Sequence, residues 1–129
     1  MEPTVRRARS SIARRDASTV DEQVRIAAIP APTGSEAARA AYVRTRFLAL
    51  GLGVERDEAG NVLARFGPAD SVAAEANRPV VVIAHLDSVF PEDTPIEVRR
   101  EGKRILAPGI TDNARGLAAM IAVANAILD

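Results

Sequence analysis

Residues 80–87 read Val80-Val81-Val82-Ile83-Ala84-His85-Leu86-Asp87, and the fold class turns on them. Five apolar residues, four of them β-branched, follow one another without the alternation of a half-solvated strand. Such a run is expected of a strand buried on both faces of a sheet. In open α/β sheets the ligand crevice lies beyond the carboxyl ends of the strands, which is where His85 and Asp87 stand. Residues i and i+2 of an extended segment point the same way, so the Asp87 carboxylate can reach one imidazole nitrogen. The other nitrogen is then left as an acceptor for a metal ion. The bland reading of the same pair is a strand-end histidine hydrogen-bonded to a neighbouring acid.

Towards the C-terminus, residues 96–100 and 104–106 read as a hairpin turning at Glu101-Gly102. Pro108-Gly109-Ile110-Thr111-Asp112-Asn113 then leads into a helix from about Asn113, with Leu117, Met120, Ile121, Ala124 and Leu128 on one face. An acid at a helix start ordinarily caps it. Asp112 has a second reading because it and His85 both lie at loop–element junctions that can share one side of the sheet. A carboxylate can hold one ion on each oxygen, and two ions about 3.5–4 Å apart can polarise a carbonyl and activate water.

Towards the N-terminus, residues 67–79 are polar and alanine-rich and read as a surface loop. Residues 54–57 and 61–66 form an expected hairpin around Ala59-Gly60. Thr33-Gly34-Ser35-Glu36 has capping-box spacing ahead of a helix marked by Ala41, Val43, Phe47, Leu48 and Leu50 and stopped by Gly51 and Gly53. Ile29-Pro30-Ala31-Pro32 separates it from an earlier helix expected over residues 19–28, where Thr19 to Glu22 is another capping box and Val20, Val24 and Ala27 or Ala28 mark the apolar face. Helices interleaved with strands around one buried strand argue for an α/β fold, a three-layer sandwich around a mixed sheet.

Arg6, Arg7, Arg9, Arg14 and Arg15 against Glu2 make residues 1–15 a basic arm, read as a solvated helix face or frayed terminus. No aromatic lies among them to stack on a base. The domain division is thus a basic arm over 1–15 and a single domain over 16–129. The 129 residues carry 17 basic and 17 acidic side chains, so no bulk field favours nucleic acid or an anionic membrane. No cysteine is present, which excludes disulfides and thiolate ligands, and no apolar run reaches the ~18 residues of a membrane span. A cytoplasmic protein is expected. Hydrophobic residues make up 47% of the chain, but 25 residues are alanine and 3% are aromatic, so the core rests on Val, Ile and Leu.

His-Leu-Asp-Ser-Val-Phe-Pro from His85, followed by Gly-Ile-Thr-Asp-Asn-Ala-Arg-Gly-Leu-Ala-Ala-Met from Gly109, resembles the zinc-dependent metallopeptidase and deacylase family. That family includes tripeptide aminopeptidases, bacterial carboxypeptidases, acetylornithine deacetylases and succinyl-diaminopimelate desuccinylases. Ile-Pro-Ala-Pro-Thr-Gly-Ser-Glu from Ile29 and Asp-Glu-Ala-Gly-Asn-Val from Asp57 are similar to its earlier landmarks, in the same order. The resemblance implies that His85 binds one of two zinc ions, that Asp112 bridges both, and that Asp87 is a catalytic-site residue orienting His85. It implies a cis peptide bond after Asp112. It also implies a later Glu-Glu pair, further metal ligands and a lid or dimerisation domain, and no Glu-Glu pair or second histidine occurs in these residues.

The expected function is therefore metal-dependent hydrolysis of an amide bond in a small peptide or N-acyl amino acid, incomplete within this chain. Thr111-Asp112-Asn113-Ala114 leans towards the peptidase branch. The alternative is a non-catalytic fragment or split-gene product acting through a partner. Neither nucleic acid nor membrane is an expected partner, and a homodimer is expected only with the further domain. Zinc takes four N, S or O donors, and this chain offers one histidine and no cysteine.

Overall fold

The computed structural model describes residues 2–67 and 80–129. Helix α1 (Pro3–Arg14) starts with proline in its first turn, where the missing N–H costs nothing. It breaks at Arg15, whose non-helical backbone also opens α2 (Asp16–Ala27). Helix α3 (Ala37–Ala49) leads through Gly51 (φ +78°) into the hairpin of β1 (Gly53–Arg56) and β2 (Val62–Arg65). A second antiparallel hairpin pairs β3 (Arg99–Glu101) with β4 (Arg104–Leu106), and α4 (Ala114–Leu128) follows.

The class is α/β, with helices packed together and two small antiparallel sheets. Helix α4 is the hub. Its Ala114, Leu117, Ala118, Ile121 and Ala124 are buried with Ile26 and Ala27 of α2, Val43 and Phe47 of α3, Leu52 and Ile110. Alanine at so many core positions brings the helices close together.

Polar anchors fix how these helices sit. Glu22, 5% exposed, accepts from Tyr42 Oη and Arg46 Nε, both at 2.9 Å, tying α2 to α3. Arg15 donates to Asn125 Oδ1 and Asp129 Oδ2, both at 2.8 Å, and buried Ser11 donates to the same Asp129 carboxylate. The basic stretch is thus helical and fastened to the end of α4, while Arg6, Arg7 and Arg14 remain on its exposed side.

Three sequence expectations change. The helix expected from Thr19 starts at Asp16, and its buried face is Thr19, Glu22, Gln23, Ile26 and Ala27, one step round from the valines. Thr19 Oγ1 donates back to Arg15 O at 3.0 Å instead of capping. Residues 80–84 form no ladder with the other described residues: Val80 is 92% exposed and Ile83 85%. A β-branched run shows that a segment is suited to a buried strand, but the neighbours that would bury it are not encoded in the run itself. Leu128, expected on the apolar face of α4, is half exposed. The loop expected at 67–79 lies, beyond Gly67, outside the described residues. No helix among the described residues is long and apolar enough to cross a membrane.

Candidate active site

Each of the two segments that carry the site is held by the helices behind it. Buried Gln23 of α2 donates to Ile110 O at 2.7 Å and so anchors the turn before α4. Within that turn Gly109 takes φ +68°, a conformation that side chains with a Cβ rarely adopt. Ala114 N donates to Gly109 O at 3.3 Å, closing the turn onto the helix. The Asp112–Asn113 bond is cis.

The 85–88 segment is clamped from three directions. Ser88 N donates to Ala31 O at 2.7 Å, beside a parallel bridge between Pro32 and Ser88. Arg39, 1% exposed on α3, donates through one nitrogen to Leu86 O at 2.9 Å and through two others to Ile29 O at 2.6 and 3.2 Å. Burial pulls the pKa of its guanidinium down and the nearby Asp87 charge pulls the other way. From the other side, Asn113 Nδ2 donates to His85 O at 3.2 Å.

These clamps place the His85 ring between two carboxylates. Nδ1 lies 2.9 Å from Asp87 Oδ1, and Nε2 lies 2.8 Å from Asp112 Oδ1. Both contacts are hydrogen bonds only when the ring carries both protons. Desolvation pushes the imidazole towards neutrality, but the hydrogen bonds and charges of Asp87 and Asp112 outweigh it and raise its pKa. Asp87 moves the opposite way: Thr33 Oγ1 donates to its Oδ2 at 2.7 Å, and this bond, with the one from His85, holds its pKa below the usual carboxylate value.

Asp112 distinguishes the two readings of its position. No side chain caps α4, and the Asp112 carboxylate is turned away from the helix amides towards His85. It is 79% exposed, so a cation reaching His85 Nε2 from solvent meets an oxygen in the same place. One imidazole nitrogen and one carboxylate oxygen suit a borderline cation such as Zn²⁺. They are two donors of the four such an ion takes, and no cluster of three or more metal-binding side chains occurs among the described residues.

His85, Asp87 and Asp112, the three residues singled out in the sequence, are thus brought together. Thr33 and Arg39 were not singled out, though one left a trace. Arg39 lies four and eight residues before Val43 and Phe47, a charge on the apolar face of α3. Thr33 has the spacing of half a capping box, yet α3 starts at Ala37 without a side-chain cap, and Glu36 Oε1 accepts from Gly34 N at 2.5 Å.

Comparison with known proteins points the same way. The chain is 37% identical over 112 residues to the cytosol non-specific dipeptidase of Escherichia coli (strain K12), an alignment covering 77% of this chain. The chain spans 22% of that relative's length. Residues 61–129, more than half the chain and including His85, Asp87 and Asp112, match the family model described as peptidase family M28. The chain therefore belongs to peptidase family M28.

Proposed function

We propose that His85 and Asp112 are metal ligands of a zinc-dependent hydrolase that cleaves the amide bond of small peptides, with Asp87 orienting His85. The observation that carries this reading is the imidazole between the two carboxylates, with Asp112 turned from its helix towards Nε2. Asp87 accepts a hydrogen bond from His85 Nδ1–H, so the neutral ring presents its Nε2 lone pair beside the Asp112 oxygen. Buried Arg39 and Gln23 hold the two backbones at that spacing. Zinc bound there would supply Lewis acidity and an acidified water, in the complete site as two ions sharing Asp112.

Small peptides are favoured over N-acyl amino acids because the family is one of peptidases and the similar protein carries the name of a dipeptidase. That protein's name also supports a cytoplasmic setting. The remaining ligands and the general base lie outside the three residues identified here, so residues 1–129 alone are expected to bind zinc weakly and to leave peptides intact. Residues 1–129 are loaded with zinc, the affinity is read by chelator competition, and di- and tripeptides and N-acyl amino acids are assayed. Weak binding that disappears in both His85→Ala and Asp112→Ala, without turnover, is the expected result. Zinc binding unchanged by both substitutions contradicts the ligand assignment, and turnover abolished by Asp112→Ala contradicts the incompleteness.

A further inference from the structure

Thr33 lies in the connection between α2 and α3, before the residues matched by the family model, and 54 positions from Asp87 in the chain. Its hydroxyl donates to Asp87 Oδ2 at 2.7 Å while Asp87 Oδ1 faces His85 Nδ1 at 2.9 Å. The two carboxylate oxygens are thus divided between two partners, and the carboxyl plane cannot turn without losing one of them. The connection that carries Thr33 is itself fastened to the same segment, by the Ser88–Ala31 hydrogen bond at 2.7 Å and by Arg39, which bonds both Ile29 O and Leu86 O. Thr33 and Asp87 are therefore held in register by backbone contacts on either side.

This matters because His85 stands between two acceptors. A neutral imidazole has a single N–H, and it can go to Asp87 through Nδ1 or to Asp112 through Nε2. Only the first arrangement leaves Nε2 a lone pair for a cation. A hydroxyl that holds Asp87 with its Oδ1 at His85 Nδ1 favours that arrangement, while a freely turning Asp87 concedes the proton more often to Asp112.

We infer that Thr33 is a positioning residue for His85, acting through Asp87 to hold the imidazole in the tautomer whose Nε2 is free for metal. The inference rests on the reading of His85 as a ligand. It adds an outer support supplied by the α2–α3 connection, a part of the chain outside the matched family segment.

The test uses the ¹⁵N-labelled 129-residue chain at a pH above the end of the measured titration of its single histidine, where the ring is neutral and its nitrogens report the tautomer directly. Zinc affinity is measured alongside by chelator competition. Removing the partner of a ligating histidine typically costs about 10–100-fold in metal affinity. One hydrogen bond further out, Thr33→Val is expected to weaken zinc by about 3- to 10-fold and to raise the Nε2–H population. Thr33→Ser restores both, and in an Asp87→Ala background Thr33→Val changes neither. Thr33 is exposed, so the core does not depend on it, and Thr33→Ala is a second route to the same readouts with a smaller side chain. If His85→Ala abolishes zinc binding while Thr33→Val and Thr33→Ala leave tautomer and affinity at wild-type values, the Thr33 inference is overturned and the ligand reading stands. An equal effect of Thr33→Val with and without Asp87 also overturns it. If His85→Ala leaves zinc binding intact, the ligand reading falls and the inference falls with it.

Discussion

His85 is the only histidine of the chain, so its ring resonances report one site without overlap. Their titration should give a pKa above the ordinary value of 6.5, because two carboxylates favour the protonated ring more than burial opposes it. A group raised in the folded state adds stability below its unfolded pKa, and that increment disappears as the pH climbs through the folded value. Asp87 behaves oppositely. Its pKa is lowered, so its contribution is present above the ordinary 3.8 and is lost as the pH falls through the folded value. Replacing Asp87 with alanine should bring the His85 titration down; an unchanged midpoint would mean that the Nδ1 contact is not formed in solution. At this scale the sequence was informative about chemistry and poor about support. A histidine two residues before an acid at the end of an apolar run is visible as a motif. What Arg39 and Thr33 do depends on which segments the fold brings beside them, and local spacing does not encode that.

The helix that carries the second half of the site shows how closely packing and chemistry are joined. A Cβ added at Gly116 would come within 2.0 Å of Asn113 Oδ1 and 2.8 Å of its Cγ. The Asn113 side chain is the one whose Nδ2 donates to His85 O. Gly116→Ala should improve helix propensity by about 1 kcal/mol. It should also displace Asn113 and lose a hydrogen bond worth roughly 0.5–1.5 kcal/mol. The two nearly cancel, so the expected melting temperature is close to wild type while zinc affinity falls several-fold. A variant with unchanged affinity would show that the Asn113 bond does not help to place His85. The elements themselves were legible where a local signal sufficed. Helix α3 and both hairpins lie close to where apolar spacing and turn glycines put them, Gly60 (φ +91°) and Gly102 (φ +59°) included. Helix boundaries were harder. Ser/Thr–Glu spacing at Thr19 and Thr33 fitted a capping box, but neither threonine caps its helix: Thr19 bonds the backbone of Arg15 and Thr33 bonds Asp87.

Over the whole molecule, the features that pack and the feature that does not are both informative. Helices α1, α2 and α3 close around α4, yet Val80, Val81, Val82 and Ile83 stay 63–92% exposed in a row, next to the site segment. A contiguous, exposed apolar and β-branched stretch that pairs with no strand among the described residues is a template for pairing with another chain. Residues 1–129 should therefore self-associate as their concentration rises, and Val81→Lys should shift the population towards monomer in sedimentation velocity without altering the far-UV spectrum. A wild-type chain that stays monomeric at high micromolar concentration would contradict this. The burial of these four residues was the one expectation about the fold that the run could not settle, since burial belongs to a segment and its neighbours together.

The central claim is that His85 Nε2 and Asp112 receive the same metal ion, and zinc titration of the ¹⁵N-labelled chain tests it most directly. The account predicts a saturable, zinc-dependent shift of the His85 Nε2 resonance with Nδ1 remaining protonated and bonded to Asp87. In Asp112→Ala the apparent affinity should fall by about tenfold or more, at least what loss of an outer partner costs. A zinc response at Nδ1, or an Nε2 response that keeps its affinity without Asp112, would contradict the claim.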